Sequence, residues 1–294
     1  MAKRAEFLYR RGRENLKKNW LKALHYFLKT KDIAPEFLPS YYEIAEIYYR
    51  RGFIDDAIKI VNEALEINPN DLQGNFALAN LLFAKNQPKE ALKVYLKINE
   101  ELRDTSAELC FNMAMAYHAI GNSKKAIDSL EKAIELDPYF LDAYDMAGRI
   151  YFERGDMGSS EDAFKIILEL EPDHLNAHHM LGIIYSKQLL WESAIKEWEQ
   201  VINLAPDTDE TLRELGWALN MIGQTDRSIT TLRKAIEINP KNTQARIDLS
   251  AVLITSMHFK EAIEELQEAK RDDPNNPLVD KLLKDAARFI NKRG

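Results

Sequence analysis

Apolar residues recur along this chain at the three- and four-residue spacing of an amphipathic helix, in short blocks separated by turn residues. The stretch 107–140, AELCFNMAMAYHAIGNSKKAIDSLEKAIELDPYF, shows the unit. Met113, Ala114 and Tyr117 share one helix face, and Ala126, Leu130 and Ala133 share a face of a second helix. Gly121 between them suits the left-handed residue that often ends a helix. Pro138 cannot continue a helix interior, so it closes the unit. Ala114 and Ala126 are small enough for the two helices to approach closely. The spacing therefore predicts a helical hairpin.

The same marks recur from one end of the chain to the other. Prolines stand at Pro35, Pro69, Pro138, Pro172, Pro206, Pro240 and Pro274, 34 residues apart except for one double step of 69. The small residue of the first helix recurs as Ala45, Ala79, Ala114, Gly148, Gly182, Gly216 and Ser250. That of the second helix recurs as Ala23, Ala57, Ala91, Ala126, Ser160, Ala194, Ser228 and Ala262. A fixed period of helix pairs implies a stack in which each unit buries its apolar faces against its neighbours.

Tyr144, Ala147-Gly148, Tyr151, Gly155, Ser160, Phe164, Ile167 and Pro172 carry one copy of a recognisable signature. On these residues, repeated in phase, the chain resembles the tetratricopeptide repeat family over nearly its whole length. The resemblance implies an all-α, right-handed superhelical solenoid of about eight hairpins, forming a single domain over residues 1–294. The repeats fall at 4–37, 38–71, 72–106, 107–140, 141–174, 175–208, 209–242 and 243–276. Residues 277–294 are expected to form a capping helix whose apolar stripe is Leu278, Leu282, Leu283, Ala286 and Ile290, with Asp280, Lys284, Arg288 and Lys292 on the wet side. Repeat one departs most from the pattern, with Arg10 and Arg11 where apolar and small residues belong. Repeat three has Arg103 in place of its proline and one extra residue, which predicts an irregular turn from Arg103 to Ser106. Leu189 and Met257 replace the turn glycine in repeats six and eight.

Candidate chemistry is sparse. There is no Gly-rich phosphate loop, HExxH, paired-cysteine metal site or GxSxG elbow. The single Cys110 excludes an intrachain disulfide and falls on a packing face. Ser193 and Lys196 match SxxK, but both flank Ala194 on a repeat helix. His174 and His178 have helical metal spacing, yet His174 falls in a turn, while His178 and His179 fall on opposite faces. The reading is therefore of a protein that is not an enzyme, with no cofactor, no metal and no small-molecule substrate. No run of about 18 apolar residues exists to span a bilayer. The N-terminus lacks the apolar core of a signal peptide, so a cytoplasmic location is expected.

In the family, the non-packing faces of the first helices line the concave side. That resemblance places Tyr42, Tyr49, Phe76, Asn80, Phe83, Phe111, Asn112, Met115, His118, Arg149, Phe152, His179, Ile183, Arg213 and Trp217 at a peptide-binding groove. A solvated face should be mostly polar, but repeats two to four put aromatics there. A contiguous apolar patch is costly to leave in water, which points to a groove for an apolar or amphipathic peptide. Burial of the same rings by neighbouring helices is the competing reading. Family members that bind heat-shock chaperone tails use a two-carboxylate clamp. Asn80 and Asn112 match two of its positions, but Phe76, Asp142 and Met146 stand where its cations belong, so the clamp is absent.

Charge adds an alternative. The net charge is −7, yet residues 1–31 hold ten Lys or Arg against Glu6 and Glu14. Such an end could dock on nucleic acid, on an anionic membrane surface or on the acidic body of another copy in self-association. The leading expectation remains an adaptor or assembly scaffold that holds a protein partner in its groove.

Overall fold

The protein is described here by a computed structural model covering residues 2–102 and 105–291. Among the described residues there are seventeen α-helices and no strand. The chain divides into two compact units, Met1–Ala143 and Tyr144–Gly294.

In the first unit, α1 (Ala2–Asn15) pairs with α2 (Trp20–Ile33), and α3 (Pro39–Arg50) with α4 (Ile54–Ile67). Further on, α5 (Leu72–Ala84) pairs with α6 (Pro88–Leu102), and α7 (Ala107–Ala119) with α8 (Ser123–Leu136). Helices α2, α4 and α6 also pack on the first helix of the next pair, and α3 reaches α5 directly. The core runs through these contacts: Ala23, Phe27, Ile44, Ala57 and Val61 are sealed from water. Cys110 is buried, as its packing face requires.

Helix α9 (Leu141–Glu153) leads into the second unit, followed by α10 (Met157–Leu170). Next come α11 (Leu175–Lys187) with α12 (Trp191–Leu204), α13 (Asp209–Met221) with α14 (Thr225–Ile238), and α15 (Thr243–Thr255) with α16 (Phe259–Asp272). Close approach within these hairpins depends on residues without side chains. A Cβ on Gly148 would stand 2.7 Å from the Phe164 ring, one on Gly216 2.6 Å from Leu232 Cγ, and one on Gly182 would overlap the Trp198 indole. Ser160 and Ser228 fill the small positions opposite and donate hydroxyl hydrogen bonds at 2.7 Å to the carbonyls of Gly148 and Gly216. The last helix, α17 (Pro277–Asn291), packs on α15 and α16. It buries Val279 and Ala286 and leaves Leu278 exposed, so its apolar stripe begins one residue later than the spacing predicts. The side chain of Ile290, and Lys292 as a whole, lie outside the described residues.

The prolines act as the sequence predicts. The residues before them, such as Ala34, Asn68, Asp137 and Glu171, cap the second helices with φ between −136° and −138°. That is the extended conformation a following proline imposes. Pro88 opens α6, where its missing N–H is no loss. Arg103 and Asp104, in the expected irregular turn, lie outside the described residues. After them Ser106 caps α7 by accepting from Leu109 N–H at 3.2 Å.

The turns inside the hairpins share one geometry. In the second repeat, Phe53 N–H bonds Tyr48 C=O and Gly52 N–H bonds Tyr49 C=O, both at 2.9 Å. This is the paired closure of a helix by a left-handed residue, here Gly52 at φ +81°. The same closure forms around Gly121, Gly155 and Gly223. It persists where glycine is missing, with Asn86, Leu189 and Met257 held at φ +62° to +67°.

The first hairpin differs. Lys18 and Asn19 N–H groups both bond Asn15 C=O, and neither residue enters the left-handed region. Here α1 is displaced by one residue relative to the period. Gly12, not Arg11, lies against Phe27 in the close contact, and Arg11 is exposed. The reading of Arg11 as the misfit small position is thereby corrected: the chain keeps its small residue by shifting the helix.

Candidate functional site

Two cavities lie in the first unit, on the faces of its first helices. One, of about 550 Å³, is lined from α3 by Tyr42, Ala45, Glu46 and Tyr49, and from α5 by Ala77, Asn80, Leu81, Phe83 and Ala84. Tyr95 of α6 and Asn112 and Met115 of α7 complete it. The structure thus brings together Tyr42, Tyr49, Asn80, Phe83, Asn112 and Met115 of the predicted groove. The floor is held by polar contacts. Tyr95 donates its hydroxyl to Asn80 Oδ1 at 2.6 Å, which leaves the Asn80 amide N–H groups available as donors. Tyr42 donates to Asp71, which also caps α5 by accepting from Gly74 N–H at 2.7 Å. Burial, and then the Asp71 carboxylate, push the Tyr42 phenol above its ordinary range, so it stays protonated as a donor.

Phe76 and Phe111 are placed differently. Phe76 meets Tyr95 edge-on, ring centroids 6.1 Å apart, and Phe111 lies 5.0 Å from Phe140. Both are half-buried against neighbouring helices, as is His118 on α7. For these two rings the observed contacts are those of packing.

The second cavity, of about 830 Å³, was not foreseen. Its walls are Tyr9 and Arg13 of α1, Lys17 and Lys18 of the first turn, Trp20, then Glu43, Glu46 and Arg50 of α3, with Gln73 and Ala77 of α5 beyond. It shares Tyr42, Glu46 and Ala77 with the first cavity. The signal that could have found it is Gly12: once Gly12 is taken as the small residue, Tyr9, Arg13 and Leu16 fall at the places of Tyr42, Glu46 and Tyr49. Tyr9 donates to Glu43 at 3.2 Å, and Arg13 pairs with the same carboxylate. Burial, then the Glu43 charge, raise the Tyr9 phenol. Arg51 sits 4.5 Å over the Trp20 ring.

In the second unit the predicted groove residues are engaged with one another's helices. Arg149 bonds Asp145 at 2.7 Å and Asn176 at 3.0 Å. His179 Nδ1 lies 3.2 Å from Thr211 Oγ1, and its Nε2 lies 3.8 Å from Glu214. Arg213 bonds Asp248 at 3.2 Å and also approaches Glu210 and Glu214. Burial lowers His179, so it is neutral here. Phe152, Ile183 and Trp217 are half-buried. The three clustered histidines diverge. His174 caps α11, His178 Nδ1 lies 2.7 Å from Glu197, and His179 faces Thr211. Among the described residues, no group of three His, Cys, Asp or Glu side chains could hold a metal ion. Nor is any described helix long and apolar enough to cross a membrane.

Comparison with known proteins adds the following. Sequence profiles described as Tetratricopeptide repeat match residues 50–109 and 221–286, residues 107–140, and residues 141–174. The chain is 24% identical over 261 residues to BBSome complex member BBS4 of Bos taurus, covering 84% of this chain and 43% of that protein. It is 31% identical over 134 residues to Protein O-mannosyl-transferase TMTC1 of Homo sapiens, covering 45% of this chain and 14% of that protein. The chain therefore spans less than half the length of either relative. Among solved structures, YrrB, described as a TPR protein with an unusual peptide-binding site, superposes with a TM-score of 0.57 at 22% identity. That match covers 65% of this chain and 97% of YrrB. The C-terminal part of a TPR repeat-containing protein from Cytophaga hutchinsonii superposes with a TM-score of 0.71 at 15% identity, covering 82% and 99%. At these identities the structural likeness establishes the fold alone.

Proposed function

Because the chain belongs to the tetratricopeptide repeat family, whose members here include parts of multi-subunit complexes, we propose that it is a non-enzymatic scaffold that holds a peptide segment of a protein partner in the first unit. Its membership and its relatives support a protein-interaction role. The peptide site is our own reading. One observation carries it: three successive first helices, α3, α5 and α7, line one cavity with Tyr42, Tyr49, Phe83 and Met115 around the donors of Asn80.

The chemistry of that cavity suits a peptide. Aromatic rings offer large apolar contact at low entropic cost, and Tyr49 is still 43% exposed, so part of its ring awaits a partner. Asn80 can donate to a backbone carbonyl, which fixes the direction of an extended or helical segment. The description of YrrB as a peptide binder is consistent with this reading. The match to the TMTC1 transferase covers 14% of that protein and does not argue for catalysis here.

The test is selection of short random peptides, displayed on phage, against the intact chain. Tyr49→Ala with Phe83→Ala should leave the helical circular dichroism spectrum intact and lower peptide affinity at least tenfold, since such anchors each contribute about 2 kcal/mol or more. Failure to recover any binding peptide would overturn the proposal.

A further inference from the structure

The first cavity's neighbour carries an unbalanced set of charges. Arg13 is committed to Glu43, and Arg50 to Glu46, with Arg50 Nε 2.6 Å from its oxygen. Glu14 pairs with Arg11 at 3.2 Å. Among the described residues, no carboxylate partner stands beside Lys17, Lys18 or Arg51, and Arg51 rests on the Trp20 ring instead. Three cations without a carboxylate partner therefore line this cavity, all exposed.

Their position follows from local structure. The first turn lacks the left-handed closure of the others, so the chain leaves α1 through the bonds from Lys18 and Asn19 to Asn15 C=O. Asn19 then caps α2 by accepting from Lys22 N–H at 3.0 Å. The two lysines are thereby set on the cavity wall. Because the cavities share Tyr42, Glu46 and Ala77, the cavity that holds these cations adjoins the aromatic one.

We propose that the two cavities act as one groove for a partner segment bearing an acidic side chain near an apolar one. The carboxylate meets Lys17, Lys18 and Arg51, and the apolar side chain enters beside Tyr49, Phe83 and Met115. This rests on the peptide reading above and adds the chemistry of the ligand. Charge complementarity selects the occupant. A cation left unpaired in a concavity attracts an opposite charge more strongly than one on an open surface. A polyanion fits less well, because Glu14, Glu43 and Glu46 line the same walls and would repel a run of phosphates. A single carboxylate flanked by apolar residues avoids them.

The experiment uses the same random peptide library against the intact chain and against Lys17→Glu with Lys18→Glu, two exposed positions whose reversal leaves the helices in place by circular dichroism. The wild type should recover peptides enriched in Asp or Glu beside an apolar residue. The reversed variant should lose that enrichment, keep the apolar preference, and bind a synthesised acidic wild-type peptide about tenfold more weakly. Tyr49→Ala with Phe83→Ala should weaken the same peptide. Peptides recovered without acidic preference, or with a preference that survives the charge reversal, overturn this inference and leave the peptide groove standing. Recovery of no peptides overturns both. If Lys17 and Lys18 are instead required for binding oligothymidylate or phosphatidylserine vesicles, and acidic peptides are not selected, the basic end reads phosphates and the inference falls. If the chain sediments as a concentration-dependent oligomer that the reversal dissolves, again without acidic peptide selection, a second copy is the occupant and the inference likewise falls.

Discussion

A Cβ on Gly12 would stand 2.7 Å from Cδ1 of Phe27, so glycine is what lets α1 lie directly on that ring. This contact sets the register of the whole first helix and, through it, the side chains that reach the cationic cavity. Gly12→Leu should lower stability by roughly 1–3 kcal/mol through overpacking. Arg11→Ala, at the exposed neighbour, should change it by less than about 0.5 kcal/mol. Urea unfolding of the two variants decides the register: if Gly12→Leu costs no stability while Arg11→Ala raises it, α1 keeps the 34-residue phase after all.

Leu189 and Gly155 occupy equivalent turn positions, at φ +62° and +78°. A side chain at such a φ costs roughly 1–2 kcal/mol, and the greater freedom of glycine in the unfolded chain offsets part of that. Leu189 is 69% exposed, so its removal sacrifices little packing. Leu189→Gly should therefore raise stability by about 0.5 kcal/mol. Gly155→Ala should lower it by about 1 kcal/mol although nothing lies within 4 Å of the added carbon. Thermal melts of both variants would expose an error if the shifts came out with the same sign.

Glu214 gives the protein a pH dependence of definite sign. Burial raises its carboxyl from about 4.5 to about 7, against the pull of Arg213 and with a smaller push from Glu210. One of its oxygens, Oε2, is buried without a hydrogen-bond partner. The unfolded chain releases this proton near 4.5, whereas the folded chain holds it until about 7. Between those values the folded state binds more protons, so Glu214 makes stability fall as pH rises. Glu214→Gln should abolish that part of the decline, giving a variant whose advantage over the wild type grows by roughly 1–3 kcal/mol from about pH 4.5 to about pH 7.5. A difference that stays flat across that window would mean that the carboxyl is hydrated and titrates normally.

Local chemistry was readable without the fold. The helices follow from apolar spacing, and their ends from residues such as Pro138 and Gly121, because both depend on neighbours a few positions away. The period placed Gly148, Gly182 and Gly216 at close contacts, and the structure puts Phe164, Trp198 and Leu232 against them. The family's geometry then brought Tyr42, Tyr49, Phe83 and Met115 to one face, and they do line one cavity.

What the tertiary structure decided depends on partners one repeat away. Arg149 and Arg213 looked like ligand-binding cations but are taken by Asn176 and Asp248, 27 and 35 residues distant. Phe76 and Phe111 were expected in the groove, with burial as the competing reading, and their rings lie against Tyr95 and Phe140. Lys17 and Lys18 belong to the basic end over residues 1–31, and a turn without its left-handed residue sets them on a cavity wall. Periodicity fixes which way a side chain faces. Whether it meets water, a ligand or another side chain depends on the neighbouring helix, and a one-residue displacement such as that of α1 alters the answer.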